Sequence, residues 1–137
     1  TVVLDYLHGQ SPPIIHRDFT PDNLILEPDG NVKLIDFSVA QKIENDITGS
    51  VVGKANYIAP EQFRGKPTIQ SDIYSLGATC YYLLTGTIPD PISRLRPQAV
   101  KPEISSDVDA IIASCTHLDP EKRYKSVSDL RADITRL

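Results

Sequence analysis

The 137-residue chain has no block of lysine and arginine, and its formal net charge is −4. We therefore expect neither a nucleic-acid surface nor a surface that binds acidic membranes. Cysteine is also scarce: Cys80 and Cys115 stand far apart, in apolar surroundings and without zinc-type partners. This pattern indicates buried free thiols in a reducing compartment, not a disulfide.

One uncharged run could suggest a membrane span. Residues 73–89 lack formal charge, but the stretch is slightly short for a span, and Tyr, Ser, Thr and Gly interrupt it. We expect a buried helix there, no membrane segment in this chain, and a cytoplasmic location, although a full-length protein could be membrane-tethered. The composition, 40% hydrophobic and 23% charged, fits one soluble globular unit with a real core.

The first part of the chain predicts one helix and a little β structure. Apolar residues on one stripe predict an amphipathic helix over residues 1–8, and residues 14–15 form a minimal strand. Two β runs over residues 24–27 and 32–35 flank the turn sequence Pro-Asp-Gly-Asn. A β-hairpin is the natural assignment for this pattern.

The rest of the chain predicts helices separated by irregular segments. Ser71-Asp72 can cap a long apolar helix that ends at Gly86, and further apolar patterns cover residues 105–115 and 127–137. Residues 38–60 show no sustained period, which is typical of a loop with a functional role. The fold class is therefore mainly α with a small β-hairpin.

One polar cluster surrounds the hairpin: His-Arg-Asp-Phe-Thr-Pro-Asp-Asn over residues 16–23 precedes it, and Asp36 follows it. Because a two-stranded hairpin returns the chain to its starting end, Asn23 and Asp36 become neighbours. Their oxygens suit Mg²⁺, which takes one or two protein oxygens together with substrate phosphates. Asp18 can sit at the same mouth and accept or orient a hydroxyl proton. Taken alone, Asp18 and Asn23 could equally be turn formers.

These motifs resemble those of the eukaryotic-type (Hanks-type) protein kinase family, and in particular bacterial, cyanobacterial-like serine/threonine kinases. Five landmarks occur in the family's order and spacing and cover essentially the whole chain, so a chance match is negligible. They are His16-Arg17-Asp18 with Asn23, Asp36-Phe37, Ala59-Pro60-Glu61, Asp72 to Gly77, and Asp119 to Arg123. The resemblance implies the C-terminal lobe of a protein kinase domain, within the family's α+β fold.

The resemblance implies roles in chemistry for four residues. Asp18 looks like the catalytic aspartate that orients the substrate hydroxyl. Asn23 and Asp36 look like the metal ligands, which bind Mg²⁺ and with it ATP. Ile25 matches an apolar residue that forms the floor of the adenine pocket.

Three further residues would be structural. Glu61 and Arg123 resemble the family's buried ion pair, and breaking such a pair typically costs about 3–5 kcal/mol because one charge is left buried and alone. Asp72 resembles the residue that holds the backbone of the catalytic loop from the long buried helix.

The family's regulatory pattern is also represented. Arg17 precedes the catalytic aspartate, as in the subclass whose arginine can clamp a phosphorylated activation loop. Ser50 and the nearby Thr48 stand where the family often carries its phosphosite. A phosphate there would bring a charge near −2 and acceptor oxygens for Arg17.

Three positions depart from the family pattern. Thr20 stands where lysine is usual, and Lys54 stands where threonine is usual, so the two side chains have been exchanged. We hypothesise that Lys54 reaches the catalytic site, with Thr20 as its neighbour, and stabilises the transferring phosphoryl; the alternative is a degraded site. Ser38 replaces the glycine after Asp36-Phe37 and restricts the backbone without removing a metal ligand.

The glycine-rich phosphate loop, the strand lysine and its partner glutamate, which roof the ATP site in this family, do not precede Thr1. Lys33 lies in the hairpin and cannot replace that lysine. The resemblance therefore implies the C-terminal lobe only, over residues 1–137, with the N-terminal lobe missing as a partner. We expect the isolated fragment to show negligible kinase turnover and weak ATP affinity.

The function implied is transfer of the ATP γ-phosphoryl to a protein hydroxyl with Mg²⁺. Serine/threonine substrates are favoured over tyrosine because Pro21 follows Thr20. In tyrosine kinases, the sequence at the corresponding loop positions resembles Ala-Ala-Arg or Arg-Ala-Ala.

Two alternatives stay open. A pseudokinase or scaffold would bind protein partners through its helical lobe. Thr20 and Ser38, which depart from the family pattern, favour this hypothesis. A small-molecule phosphotransferase of the aminoglycoside-kinase type shares the catalytic loop but lacks the Ala-Pro-Glu segment.

Overall fold

The computed structural model describes residues 1–37, 40–42 and 54–137. The α-helices and strands within these ranges are short apart from one central helix. They are α1 (Val2–His8), β1 (Ile14–Ile15), β2 (Leu24–Leu26), β3 (Val32–Leu34), β4 (Gln41–Lys42), α2 (Pro60–Phe63), α3 (Ile69–Thr85), α4 (Ser106–Cys115) and α5 (Val127–Thr135). This architecture confirms the predicted class, mainly α with a small β-hairpin.

The hairpin pairs β2 with β3 in antiparallel register, with Leu24 opposite Leu34. Its turn is held by local chemistry: the side chain of Asp29 accepts a hydrogen bond from the N–H of Asn31 at 2.9 Å. Gly30 adopts the left-handed conformation, with φ of 86°, that the turn requires and that glycine adopts without strain. The prediction of a hairpin is confirmed, with each strand one residue shorter than expected.

The prediction that residues 38–60 form no regular element was wrong. Strand β4 pairs with β1 in antiparallel register, with Ile14 opposite Lys42, and a 3₁₀ turn spans Ala55–Tyr57. Helix α2 then begins at Pro60. A two-residue polar strand carries no period of its own, so only its pairing with β1 defines it.

The central helix α3 begins at Ile69, and its capping residue Thr68 lies three residues before Ser71, the first residue of the predicted cap. Thr68 is the residue before its first turn, and its backbone N–H donates to the Ser71 hydroxyl at 2.9 Å. Ser71 and Asp72 therefore lie inside the helix, and the carboxylate of Asp72 has other partners. Gly86, at φ of 71°, ends the helix as predicted.

The main core forms where α1, α4 and α5 pack around α3. Its buried members are Leu4, Leu7, Phe19, Ile73, Leu76, Cys115, Val127 and Leu130. Gly77 allows the close approach of α3 to α4, because a Cβ atom there would lie 2.5 Å from the Cβ of Cys115. Across the described ranges, no helix has the length and apolar character needed to cross a membrane.

Both cysteines are free thiols, as predicted. The sequence separates them widely, but the fold brings Cys80 and Cys115 to one small apolar cavity of about 60 Å³ between α3, α4 and α5. Burial raises the pKa of both thiols. They are therefore poor nucleophiles that serve as packing residues.

Candidate active site

Asp72, a buried residue of α3, holds the segment of residues 16–18 in place. This carboxylate is fully buried, and it accepts hydrogen bonds from two consecutive backbone N–H groups, those of His16 at 2.8 Å and Arg17 at 2.9 Å. The Nε2 atom of His8 lies 2.8 Å from the same carboxylate. A buried carboxylate is costly unless its oxygens are bonded. Asp72 meets that requirement by fixing the backbone of the loop.

Arg17 has a strained backbone. Its φ is 72°, in the left-handed region that residues with a side chain rarely occupy. Such a conformation costs on the order of 1–3 kcal/mol and persists only where the surroundings enforce it. Here Asp72 accepts the N–H of Arg17, and the side-chain amide of Gln62 donates to its carbonyl at 2.8 Å. Side chains of α3 and α2 thus hold both backbone groups of Arg17.

Asp18 and Asn23 are in direct contact. The Nδ2 atom of Asn23 donates to the backbone oxygen of Asp18 at 2.8 Å and to its carboxylate at 2.9 Å. Both N–H groups of the amide are available for these bonds, so the oxygen of the Asn23 amide is the atom left to face a cation. The 3₁₀ turn Pro21–Asn23 brings the two side chains together.

The hairpin brings Asp36 to the same end of the molecule. The N–H of Ile35 donates to the carbonyl of Asn23 at 2.8 Å, which ties the residue before Asp36 to the start of β2. Asp36 is exposed and has φ of 63°. The ring of Phe37 meets the buried ring of His16 edge to face, with centroids 5.2 Å apart. These contacts place the backbone next to Asp36 beside Asn23, whose side chain is bonded to Asp18.

The donor set at this end of the hairpin fits Mg²⁺. A carboxylate and an amide oxygen are hard ligands, and Mg²⁺ commonly uses one or two protein oxygens, several waters and substrate phosphates. Within the part of the chain that the structure describes, no three His, Cys, Asp or Glu side chains gather as a metal site. Asp36 and Asn23 are the two residues here whose oxygens could hold such an ion.

Glu61 and Arg123 form a two-pronged ion pair. Nη1 of Arg123 donates to Oε1 of Glu61 at 2.6 Å and Nη2 donates to Oε2 at 3.0 Å. The side chains are 0% and 12% exposed for Arg123 and Glu61, respectively. Arg123 lies over the ring of Tyr74, and Ser71 donates a further hydrogen bond to Glu61 at 2.7 Å. The pair thus fastens α2 to α3 and to the segment before α5.

The pKa of Glu61 reflects this environment. Burial acts to raise the pKa of the carboxyl group, but hydrogen bonds and charge from Arg123 and the hydroxyl of Ser71 outweigh burial. The net result is a pKa below the ordinary value, so Glu61 is ionised at neutral pH.

Comparison with known proteins identifies the family. The model of the protein kinase domain matches residues 2–132. The chain belongs to the protein kinase domain family. It is 36% identical over 142 residues to the serine/threonine-protein kinase PknB of Mycobacterium leprae, which covers 90% of the chain and 23% of that protein. It is 35% identical over 150 residues to the serine/threonine-protein kinase PrkC of Bacillus subtilis, covering 97% of the chain and 23% of the relative.

The expected resemblance to bacterial serine/threonine kinases is thereby confirmed. A probable serine/threonine-protein kinase of Streptomyces coelicolor is 36% identical over 150 residues, covering 96% of the chain and 22% of that protein. The chain therefore spans less than a quarter of the length of these curated relatives.

In this kinase-family chain, Lys54 forms an ion pair with Asp22, one residue before Asn23. Both side chains are more than half exposed. Among the described residues, no ion pair joins Lys54 to Asp18, the carboxylate it was expected to approach. Thr20, its expected neighbour, is buried. The pair borders an open groove of about 500 Å³ that Tyr57 and Tyr82 also line.

Ile25 lies on the exposed face of the hairpin. It is opposite Lys33 across the two strands and is 47% exposed. Leu24, in contrast, packs against the main core. The side chain of Ile25 is therefore accessible, two residues after Asn23 in the chain.

The phosphosite candidates Thr48 and Ser50 and the departure at Ser38 lie outside the described residues. Arg17, the expected phosphate clamp, is buried.

Sequence reasoning missed His8 and Gln62. Neither lies in a motif that was used, although Gln62 directly follows Ala59-Pro60-Glu61. That adjacency to a motif was the available signal. The contact of Gln62 with the carbonyl of Arg17, 45 residues earlier, could not be predicted from the spacing of the residues.

Proposed function

We propose that residues 1–137 form the C-terminal catalytic lobe of a serine/threonine protein kinase, which transfers the γ-phosphoryl of ATP to a protein hydroxyl. The observation that carries the proposal is the hydrogen bond from the Asn23 amide to the Asp18 carboxylate, beside the hairpin end that bears Asp36. The names of the relatives support the serine/threonine class.

Asp18 is the proposed catalytic residue. Its carboxylate accepts a hydrogen bond from the substrate hydroxyl and orients the oxygen toward the γ-phosphorus. As the new O–P bond forms, the bond from the γ-phosphorus to the bridging oxygen of ADP breaks, and the hydroxyl proton passes to Asp18. The hydrogen bond from Asn23 keeps the carboxylate in one orientation.

Asn23 and Asp36 would hold Mg²⁺. When bound, the ion neutralises charge on the phosphate oxygens. Ile25 offers an accessible apolar surface for the adenine ring close to these residues. Arg17 would clamp a phosphate on Ser50 or Thr48.

Lys54 is the proposed source of a positive charge for the transferring phosphoryl. Its present partner, Asp22, is exposed, and exposed ion pairs are worth only about 0–1 kcal/mol. Lys54 can therefore exchange Asp22 for a phosphate oxygen at little cost. The pair with Asp22, one residue before Asn23, supports this proposal because Asp22 belongs to the same loop as Asp18.

An N-terminal lobe is the proposed partner of the hairpin. The hairpin and the residues after it expose a group of large apolar side chains: Ile25, Leu26, Val32, Ile35 and Phe37. These side chains all lie within residues 25–37, and a concentration of exposed apolar side chains in one short segment is typical of an interaction site. We therefore expect the fragment alone to be inactive, and we propose that the complete kinase acts on protein substrates in the cytoplasm.

The test compares two conservative variants of the full-length protein. Asp18→Asn should reduce phosphoryl transfer to a protein substrate by at least about 100-fold, within the range of general acid–base contributions, while ATP binding with Mg²⁺ remains. The matched control is Asp107→Asn, since Asp107 is an exposed carboxylate in α4. If the wild-type protein binds ATP but transfers no phosphoryl, the proposed kinase activity is wrong, and the hypothesis of a scaffold that binds protein partners replaces it.

A further inference from the structure

We propose that Gln62 is a positioning residue for Asp18 and acts through the carbonyl of Arg17. The inference rests on the proposed kinase function, because it names a residue that prepares the catalytic carboxylate. Gln62 lies in α2 and is 2% exposed, and its Nε2 atom donates to the Arg17 carbonyl at 2.8 Å.

The bonded carbonyl belongs to the peptide unit that joins Arg17 to Asp18. Because a peptide unit is planar, the direction of the Arg17 carbonyl also fixes the direction of the Asp18 N–H. That N–H points toward Nδ1 of the buried His16 ring, 3.3 Å away. The side-chain amide of Gln62 therefore sets the plane from which the Asp18 side chain departs.

Because the backbone of Arg17 is strained, the peptide unit that follows it must be held in place. At φ of 72° the residue would relax to a commoner conformation if its neighbours allowed it. Asp72 restrains the N–H side of Arg17 and Gln62 restrains the carbonyl side. Within the peptide unit that leads into Asp18, the bond from Gln62 holds the carbonyl, and the N–H faces Nδ1 of His16 at 3.3 Å.

Gln62 is itself held on a rigid base. Its neighbour Glu61 is fastened to Arg123 and to Ser71, so α2 is anchored to α3. The two consecutive side chains of α2 thus have separate tasks: Glu61 anchors the helix, and Gln62 reaches the catalytic loop.

The contact requires a hydrogen-bond donor of this length. Methionine would fill a similar volume but would leave the buried carbonyl without this donor. Glutamate would keep the shape, but an ionised carboxylate only accepts hydrogen bonds and cannot donate to the carbonyl. Both replacements preserve size and remove the interaction, so they separate positioning from packing.

The experiment measures phosphoryl transfer and backbone chemical shifts in the full-length protein with Gln62→Met and Gln62→Glu. We expect kcat to fall between about tenfold and about 100-fold, as for misplacement of a reacting group, with KM for ATP unchanged. The ¹³C and ¹⁵N shifts of Arg17 and Asp18 should move away from their wild-type values. If one variant fails to fold, the other carries the test.

Gln98→Met is the matched control. Gln98 lies in the 3₁₀ turn Pro97–Ala99 before α4, and its side-chain amide also donates to a backbone carbonyl, that of Ile104 at 2.7 Å, in a partly buried contact. This control should leave kcat and the shifts of Arg17 and Asp18 unchanged.

Two outcomes overturn the inference: wild-type kcat in a folded Gln62 variant, or wild-type shifts at Arg17 and Asp18. An equal loss of kcat in Gln98→Met would also overturn it, because the effect would then be general. If the wild-type protein transfers no phosphoryl, the proposed function fails, and the shifts alone decide whether Gln62 sets this peptide unit.

Discussion

The side-chain amide of Asn23 donates to both the backbone oxygen and the carboxylate of Asp18, at 2.8 and 2.9 Å. A single residue thus bonds the proposed catalytic carboxylate through its nitrogen, and its amide oxygen remains for the proposed cation. If Asn23 is a ligand as proposed, this double use links the position of Asp18 to the binding of Mg²⁺.

Replacing Asn23 with leucine should therefore affect both properties. We expect Asn23→Leu to weaken Mg²⁺ binding by about 10–100-fold. Phosphoryl transfer should fall by more than the loss of metal binding explains, because Asp18 also loses its restraint. The measurement is a Mn²⁺ or Mg²⁺ titration of the full-length protein with ATP. Asn31→Leu, in the hairpin turn, is the control for a lost asparagine contact. Unchanged metal affinity in Asn23→Leu would rule out the amide as a ligand.

The ion pair between Glu61 and Arg123 should dominate the stability of the α2 region. Arg123→Met leaves the carboxylate of Glu61 buried without its partner, and we expect the free energy of unfolding to fall by about 3–5 kcal/mol. Chemical denaturation measures this loss. The control is Lys125→Met, which breaks an exposed pair with Glu121 and should cost at most about 1 kcal/mol. Similar losses in the two variants would contradict the assigned role.

The same pair predicts the response of stability to acid. Its effects lower the pKa of Glu61 in the folded state below the ordinary value of 4.5. The stabilisation from ionised Glu61 is therefore present above pH 4.5 and is lost as the pH falls through the lower folded-state pKa. Glu61→Gln should flatten the pH dependence of the unfolding free energy in this window, whereas Glu121→Gln should not. An identical pH profile in Glu61→Gln and wild type would refute the prediction.

Lys54 offers a test of the exchanged lysine. If its ammonium stabilises the transferring phosphoryl, Lys54→Met should lower kcat by about 100-fold, the usual effect of removing one such electrostatic contact. Lys33→Met is the control, because Lys33 forms an exposed ion pair with Glu27 on the hairpin. Steady-state phosphoryl transfer by the full-length protein provides the readout. Wild-type turnover in Lys54→Met would show that the pair with Asp22 is only a surface contact.

The sequence alone predicted the elements whose signals are local. The hairpin followed from β runs around a Pro-Asp-Gly-Asn turn, and α4 followed from its serine cap and apolar spacing, with Ser105 accepting from the N–H of Val108. The start of α3 was misplaced because Ser71 and Asp72 look like a cap in isolation. Both residues lie within the helix, and their side chains bond to partners elsewhere in the chain. Ser71 bonds to Glu61, and Asp72 bonds to the backbone of residues 16–17.

The motif residues were visible because their types and spacing are properties of the chain itself. Their juxtaposition was partly predictable as well, since a hairpin must return the chain to its starting end. Only the tertiary structure decided that Gln62 grips the carbonyl of Arg17, that Lys54 pairs with Asp22, and that β4 pairs with β1. Each of these contacts joins segments distant along the chain, and packing around α3 brings them together without leaving any periodic trace in the amino-acid order.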